Sequence, residues 1–278
     1  MSTTSTWWKI TCTSNDSESA ACLAVELGAK GTWLTSDTSF TAYTEQDPSE
    51  LKDLWKTVGI EIESYEIIPF ENYVAMCQDV WQPVVIGSLI IKPILESSSD
   101  NSNLSDDEIK IIPGNGFGTG HHESTRLALS LLQHEKLQSV NLKRVLDLGT
   151  GNGILALGAA RLYKSNVLAI DNDELAIQNA LENVRLNPGS ERHIKLIHGD
   201  ISLASLDYDL ILANIYTKTL CELENKFRSL IYPKGILIVA GIMTEEAQLI
   251  NEVYNSNSWE LVDSKTENNW YAALLQKV

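Results

Sequence analysis

The sequence has little positive charge and no long apolar run. Lysine and arginine together number 21 against 37 aspartates and glutamates, a formal net charge of −16. This charge disfavours long-range attraction to nucleic acid phosphate and favours a basic protein partner. No apolar run approaches the ~20 residues of a membrane-spanning helix, and the first twelve residues lack the basic and apolar regions of a secretory signal. We therefore expect a cytoplasmic protein that binds neither membrane nor nucleic acid directly.

Cysteine is also scarce, and its 4 copies are scattered along the chain. They form no C-x-x-C pair, which is typical of a reduced compartment where thiols are buried or idle. The neighbouring His121 and His122 have no cysteine or carboxylate cluster beside them, and adjacent histidines in a loop seldom reach one ion. We therefore predict no metal site.

Arginine is absent before Arg126, and acidity is concentrated in the first third of the chain. Residues 1–96 hold 5 lysines against 14 acidic residues, a net charge of −9. Without guanidinium groups this part is a poor surface for contacts to phosphate. Its acidity suits a basic protein instead.

The same part predicts a small α+β domain. The aromatic and β-branched run Trp7–Cys12 is typical of a strand, and a helix, two short strands, a second helix and a fourth strand follow. The order β-α-β-β-α-β is that of a ferredoxin-like fold. We predict this domain over residues 1–63, a linker over 64–80 and a larger domain over 81–278.

The larger domain predicts an α/β fold with a doubly wound sheet. Nearly continuous apolar strands alternate with helices, as expected when both faces of a parallel sheet are covered. Two final strands follow without a helix between them, which resembles the seven-stranded fold of class I methyltransferases. The predicted strands are Val145–Leu148, Val167–Ile170, Ile194–Ile197, Leu210–Ala213, Ile236–Ala240, Trp259–Asp263 and Trp270–Leu275, and the helices are Ile154–Tyr163, Asp173–Arg185, Lys218–Ile231 and Thr244–Tyr254.

A glycine-rich turn follows the first of these strands. Asp147 precedes Gly149 and Gly151, and glycines at such a turn permit positive φ and close approach of the backbone to a ligand. Asp171 ends the next strand, where a carboxylate can accept hydrogen bonds from both hydroxyls of a ribose. These four residues are our first candidates for cofactor binding.

Two cofactors compete for this pattern. From Gly151 the sequence reads G-x-G-x-x-A with an acid twenty residues later, which formally satisfies the NAD fingerprint. From Asp147 it reads D-x-G-x-G-x-G, which resembles the S-adenosylmethionine loop of class I methyltransferases. A carboxylate beside the loop would repel a pyrophosphate, whereas it can organise contacts to the amino group of a methionine moiety. We therefore favour S-adenosylmethionine.

Two polar residues end later strands of the predicted sheet. Asp200 follows the third strand, where this fold commonly contacts the adenine, although capping of a short helix explains it equally well. Asn214 ends the fourth strand at the mouth of the predicted cleft. We favour a functional role for Asn214 over a capping role.

A second glycine-rich segment lies upstream, in the sequence GFGTGHHESTRLAL. The hydroxyls and free amides where its helix begins, including Thr125, can contact a carboxylate or an adenosine. With VLDLGTGNGILAL, AIDND and ANIY, this segment resembles the PrmA-type ribosomal protein methyltransferases over essentially the whole chain.

The resemblance implies an activity and a set of residues. The family methylates ribosomal protein L11 of the large subunit on lysine side chains and on the N-terminal α-amine. It implies donor binding by Thr125, Gly149, Asp171 and Asn214. We further expect that the acidic N-terminal domain holds a basic ribosomal protein and that the enzyme is a monomer. Phe117, Thr119 and His121 would form the lid of the cleft.

The sequence departs from the family pattern at three places. Ile112 stands where an acid usually precedes Pro-Gly, Gly116 replaces the usual alanine, and a serine- and asparagine-rich insertion occupies 97–108.

Methyl transfer to an amine needs no nucleophilic side chain, because the neutral amine itself attacks. We predict that Asn214, with the backbone at Ile215, orients the incoming amine, and that Tyr216 shapes the entrance. Other readings remain open: lysine methylation of a different protein, methylation of a nucleic acid base suggested by Asn-Ile-Tyr, and a donor-binding module without activity.

Overall fold

The computed structural model describes residues 7–68, 82–94, 105, 107–112, 120–138, 140–205, 207–254 and 258–278. The chain divides into two compact units, residues 1–80 and 81–278. Among the described residues, no helix combines the length and the apolarity that crossing a membrane requires.

The first unit is a four-stranded antiparallel sheet with two helices. In the sheet the strands lie in the order β2-β3-β1-β4. Along the chain the elements follow the predicted ferredoxin-like order β-α-β-β-α-β. Its core contains fully buried Ile10, Phe40, Trp55 and Ile60. The elements are β1 (Trp7–Thr13), α1 (Ser17–Glu26), β2 (Gly31–Ser36), β3 (Ser39–Thr44), α2 (Pro48–Thr57) and β4 (Glu61–Ile68).

Local sequence signals explain where these helices begin. Asp16 accepts a hydrogen bond from the Ser19 amide over 3.1 Å, and Asp47 accepts one from the Ser49 amide over 2.9 Å. Each satisfies a backbone donor that the first turn of a helix leaves unpaired.

At the other end of the unit, β4 continues to Ile68, so the first five residues of the predicted linker are strand. Residues 69–80 of that linker lie outside the described residues.

The second unit contains a three-stranded sheet and a seven-stranded sheet. Its elements are β5 (Val84–Ile86), β6 (Leu89–Pro93), β7 (Glu108–Ile111), α3 (Glu123–Leu132), α4 (Glu135–Gln138), β8 (Arg144–Leu148), α5 (Ile154–Tyr163), β9 (Asn166–Asp171), α6 (Glu174–Leu186), β10 (Ile194–His198), β11 (Tyr208–Asn214), α7 (Thr217–Leu230), β12 (Ile231–Met243), α8 (Ala247–Tyr254), β13 (Trp259–Glu267) and β14 (Trp270–Lys277).

The larger sheet has the order β10-β9-β8-β11-β12-β14-β13. Strands β8 to β12 are parallel, and β14 pairs antiparallel with both β12 and β13. The prediction of a doubly wound, seven-stranded sheet is therefore confirmed. The order reverses between β8 and β11, and ligands of such sheets bind outside the carboxyl ends of the strands at that point.

Alternate residues of each central strand face opposite layers of the core. Along β11, Leu210 and Leu212 join the cluster that contains α3 and α5, while Ile211 and Ala213 join the cluster that contains α7 and α8. Burying a leucine or isoleucine completely contributes roughly 1.5–3 kcal/mol. The two apolar layers fix the sheet and hence the position of the strand ends.

Several predicted boundaries in the second unit were wrong. The strand predicted to end at Asp263 continues to Glu267 as β13, and two further differences concern β12 and α8. The last parallel strand was predicted from Ile236, but β12 begins at Ile231, directly after α7. Its pairing with β11 jumps from Ile231 to Ile236, so an irregular stretch interrupts the apolar pattern on which the prediction depended. The predicted helix at Thr244 opens with a 3-10 turn, and α8 begins three residues later.

Candidate functional site

The glycine-rich turn after β8 is held against the end of β9. The amides of Gly149 and Thr150 donate to the Ile170 carbonyl over 2.8 and 3.1 Å. Gly149 has φ +70°, and a Cβ there would lie 2.4 Å from the Ile215 side chain. The turn therefore requires glycine both for its left-handed backbone and for the close approach of Ile215.

The buried side chain of Asp147 stabilises this turn through hydrogen bonds. The side chain is completely buried, and its Oδ2 accepts hydrogen bonds from the Thr150 hydroxyl over 2.6 Å and from the Ala156 amide over 3.0 Å. Burial raises the pKa of Asp147 to about 7, against the opposing effect of these hydrogen bonds. Its Oδ1 is buried without a hydrogen-bond partner among the described residues. The observed bonds show that Asp147 holds the turn, and its part in donor binding stays a prediction.

Asp171 connects the turn to the neighbouring strand. Its Oδ2 accepts from the Gly151 amide over 2.8 Å, and its Oδ1 accepts from the Asp173 amide over 3.0 Å. A carboxylate has about four acceptor sites, so two remain for a ligand, and the side chain is partly exposed. The arrangement suits a group with two adjacent hydroxyls.

Asn214 and Thr125 meet although 89 residues separate them. The Asn214 Nδ2 lies 3.4 Å from the Thr125 Oγ1, at the end of β11 and the first turn of α3. The Asn214 Oδ1 is buried and has no hydrogen-bond partner among the described residues. A buried carbonyl oxygen without a donor is costly, so this atom is suited to accept a hydrogen bond from a ligand.

Gly241 is a residue of this site that sequence reasoning missed. It has φ +80°, and a Cβ there would lie 2.8 Å from the Ile215 carbonyl oxygen and 3.0 Å from the Asn214 Oδ1. Only glycine lets β12 pass this close to the end of β11. A lone glycine within an apolar strand was the available signal.

The remaining predicted residues are placed differently. Asp200 is exposed and caps a 3-10 turn by accepting from the Ser202 amide over 2.7 Å. Hydrogen bonds from Ser202 hold the pKa of Asp200 below its ordinary value. Capping is thus its observed role, and contact with an adenine stays a prediction. Phe117 and Thr119 lie outside the described residues, while His121 Nε2 is 3.1 Å from the Gln82 carbonyl oxygen.

The start of α3 is tied to the β13–β14 turn. Arg126 forms a bidentate ion pair with Glu267, with N–O distances from 2.6 to 3.1 Å. Asn268 donates to Glu123 over 2.8 Å, and the helix is capped by His122, which accepts from the Ser124 amide over 3.2 Å. Because Arg126 and Glu267, like Glu123 and Asn268, are far apart in the chain, sequence reasoning found neither of these two pairs.

Two asparagines, Asn183 on α6 and Asn187 directly after its last residue, form a buried ladder beside the site. Asn183 accepts from the Ile112 amide over 2.7 Å and donates to the Asn152 carbonyl over 2.9 Å. Asn187 accepts from the Lys110 amide over 2.9 Å and donates to its carbonyl over 2.7 Å. The ladder binds β7 to the glycine-rich turn. Its four-residue spacing on one helix face was a signal that we did not use.

These residues fit S-adenosylmethionine. Asp171 has acceptor sites left for a ribose beside the glycine turn, and the unpaired Asn214 Oδ1 lies at the carboxyl end of β11. Within the described part of the chain, no cluster of three or more histidine, cysteine or acidic side chains could hold a metal ion. Sheet order and site together define an S-adenosylmethionine-dependent methyltransferase of class I.

Comparison with known proteins gives the family. The family model described as "Ribosomal protein L11 methyltransferase (PrmA)" matches residues 10–278, and the chain belongs to this family. A relative named ribosomal protein L11 methyltransferase from Geotalea daltonii is 33% identical over 212 residues, covering 73% of this chain and 67% of the relative. One of the same name from Clostridium perfringens is 29% identical over 232 residues, covering 82% and 72%.

A solved structure supports the same assignment. The ribosomal protein L11 methylase from Lactobacillus delbrueckii subsp. bulgaricus superposes with a TM-score of 0.61 and is 27% identical. The match covers 71% of this chain and 99% of that one.

Proposed function

We propose that this methyltransferase transfers methyl groups to lysine side chains and to the N-terminal α-amine of ribosomal protein L11. Membership of the family and the names of the relatives support this substrate. The structural observation that carries the proposal is the buried, unpartnered Oδ1 of Asn214 beside the glycine turn, because an amine can donate to it.

The chemistry needs a neutral amine. S-adenosylmethionine supplies an electrophilic methyl group on a sulfonium. A lysine with a pKa near 10.4 costs about 4–5 kcal/mol to neutralise at pH 7, and transfer from water into a cleft lowers that pKa. Asn214 and the Ile215 carbonyl then accept the amine hydrogens, so that the nitrogen lone pair is directed at the methyl group. Orientation of this kind supplies much of a displacement's acceleration.

The first unit supports a role in holding a basic substrate. We propose that residues 1–63, with the rest of β4, form the recognition domain of a monomeric, cytoplasmic enzyme. Glu61 and Glu63 are exposed on β4, in a segment whose net charge is −9 over residues 1–96. Opposite charge on a ribosomal protein would raise the rate of encounter.

Purified L11 and labelled S-adenosylmethionine test the proposal. We expect label on L11 that resists nuclease and maps by mass spectrometry to lysines and the N-terminus. Label in a lysate on another protein but not on L11, or label removed by nuclease, would refute the substrate.

Charge reversal tests the recognition domain. We expect the double variant Glu61→Lys/Glu63→Lys to raise KM for L11 and leave the Kd for S-adenosylmethionine unchanged. The matched control Glu182→Lys/Glu260→Lys makes the same change of net charge at exposed positions of the second unit. An equal rise of KM in the control would contradict a specific role for the first unit.

A further inference from the structure

A basic cavity lies beside the amino ends of β9 and β10, whereas the glycine turn lies at the carboxyl end of β8. Its volume is about 190 Å³, and it is lined by the C-terminal end of α5 and by the segment between α6 and β10. Helix α5 begins beside the glycine turn and ends at this cavity, roughly 15 Å away at 1.5 Å per residue. The cavity is therefore separate from the methyl donor site.

Four basic side chains line the cavity without an acidic one. They are Arg161, Lys164, Arg192 and His193, and they include two of the six arginines in a chain of net charge −16. None of the four side chains makes a hydrogen bond or ion pair with a described residue. Bringing like charges together is unfavourable, so a bound anion would relieve this arrangement.

Two of the residues that line the cavity each have a polar atom that is buried and unpaired among the described residues. The Nη2 of Arg161 and the Nδ1 of His193 are inaccessible to solvent and have no hydrogen-bond partner among the described residues. A buried polar atom without a hydrogen-bond partner is unfavourable. The dipole at the C-terminal end of α5 favours positive charge there, which explains the position of Arg161 and Lys164. It does not account for Arg192 and His193, which come from another segment.

The volume of the cavity restricts the size of the ligand that it can hold. Pockets for cofactor-sized molecules occupy about 300–1,000 Å³, and this cavity is smaller. We propose that it binds a single phosphate group, either free inorganic phosphate or the terminal phosphate of a small metabolite. Phosphate oxygens match the paired donors of guanidinium groups. The strongly negative chain argues against an RNA backbone as the ligand.

Thermal unfolding and calorimetry with inorganic phosphate, at constant ionic strength set by chloride, test this proposal. We expect saturable binding and a rise in Tm for the unaltered protein, because a ligand of the folded state stabilises it. Arg161→Gln and Arg192→Gln should each weaken phosphate binding by ~10-fold or more. Glucose 6-phosphate and glucose are compared in the same assay. Tighter binding of glucose 6-phosphate than of inorganic phosphate, with no binding of glucose, would identify the terminal phosphate of a small metabolite as the ligand rather than free phosphate.

Arg185→Gln is the matched control, because Arg185 is exposed on α6 outside the cavity lining. We expect it to bind phosphate as the unaltered protein does, and all three variants should keep their affinity for S-adenosylmethionine, which reports intact folding. Absence of saturable phosphate binding would overturn the proposal. Binding of a short RNA, abolished by Arg161→Gln while phosphate does not bind, would overturn it in favour of a nucleic acid surface.

Discussion

Asn183 donates a hydrogen bond to the backbone carbonyl of Asn152 over 2.9 Å, and both side chains are completely buried. Through its Oδ1, Asn183 also accepts from the Ile112 amide over 2.7 Å. One amide group thus connects the glycine turn after β8 with Ile112, which lies four residues before the second glycine-rich segment begins. Since both segments are predicted to contact the methyl donor, we expect Asn183 to act as a positioning residue.

Asn183→Leu should weaken both stability and donor binding. Leucine has a similar size but leaves the Ile112 amide and the Asn152 carbonyl unpaired, which costs roughly 2–5 kcal/mol of unfolding free energy. Urea denaturation and calorimetry with S-adenosylmethionine measure the two effects. Asn187→Leu is the control, since it breaks the ladder farther from the turn and should lower stability with little change in donor Kd. Equal loss of donor affinity in both variants would show that Asn183 has no special positioning role.

Asp171→Asn should weaken donor binding without unfolding the turn. An asparagine oxygen can keep the hydrogen bond to the Gly151 amide, but the charge that strengthens bonds to ribose hydroxyls is lost. Such bonds contribute about 1.5–3 kcal/mol each, so we expect the Kd of S-adenosylmethionine to rise at least ~10-fold in calorimetry. Asp173→Asn changes the same charge at a helix cap and should leave that Kd within about twofold. An unaltered Kd in Asp171→Asn would contradict the ribose assignment.

Asn214→Ala should lower kcat more than it changes donor affinity. The substitution removes the acceptor proposed to orient the amine, and loss of one oriented polar group typically costs ~100-fold in kcat. Single-turnover rates with L11 and labelled donor measure the effect. Asn225→Ala, at an exposed position on α7, is expected to behave as the unaltered enzyme. The interpretation fails if kcat is unchanged while the donor Kd rises.

Asp147 should make stability depend on pH. Burial raises its folded pKa to about 7 from 3.8, so between these values the folded state holds a proton that the unfolded state has released. Stability therefore falls as pH rises from about 4 to 7, by at most about 1.4 kcal/mol per unit for one proton. Asp147→Asn removes this proton, and its urea midpoint should fall less steeply between pH 5 and pH 7. Parallel pH profiles for the two proteins would show that Asp147 is ionised throughout.

The sequence alone predicted the sheet and the glycine turn well because their signals are local. The apolar runs that became β8, β9, β10 and β11 have the length and β-branched composition of buried strands, and helix α5 was predicted with its observed bounds. Gly149, Gly151 and Asp171 were identified because a tight turn and a strand end impose their residue types over a short stretch. The irregular start of β12 was missed since its apolar pattern is interrupted.

Only the tertiary structure decided which distant residues meet. The Arg126–Glu267 ion pair spans 141 residues, Asn214 reaches Thr125 over 89, and the basic cavity joins α5 to the segment before β10. A side chain's own neighbours in sequence restrict its backbone, but they do not determine its partner across a folded core. The partner depends on how the layers of helices and strands pack. The local sequence therefore indicated the kind of chemistry, whereas the packing determined which distant side chains come into contact.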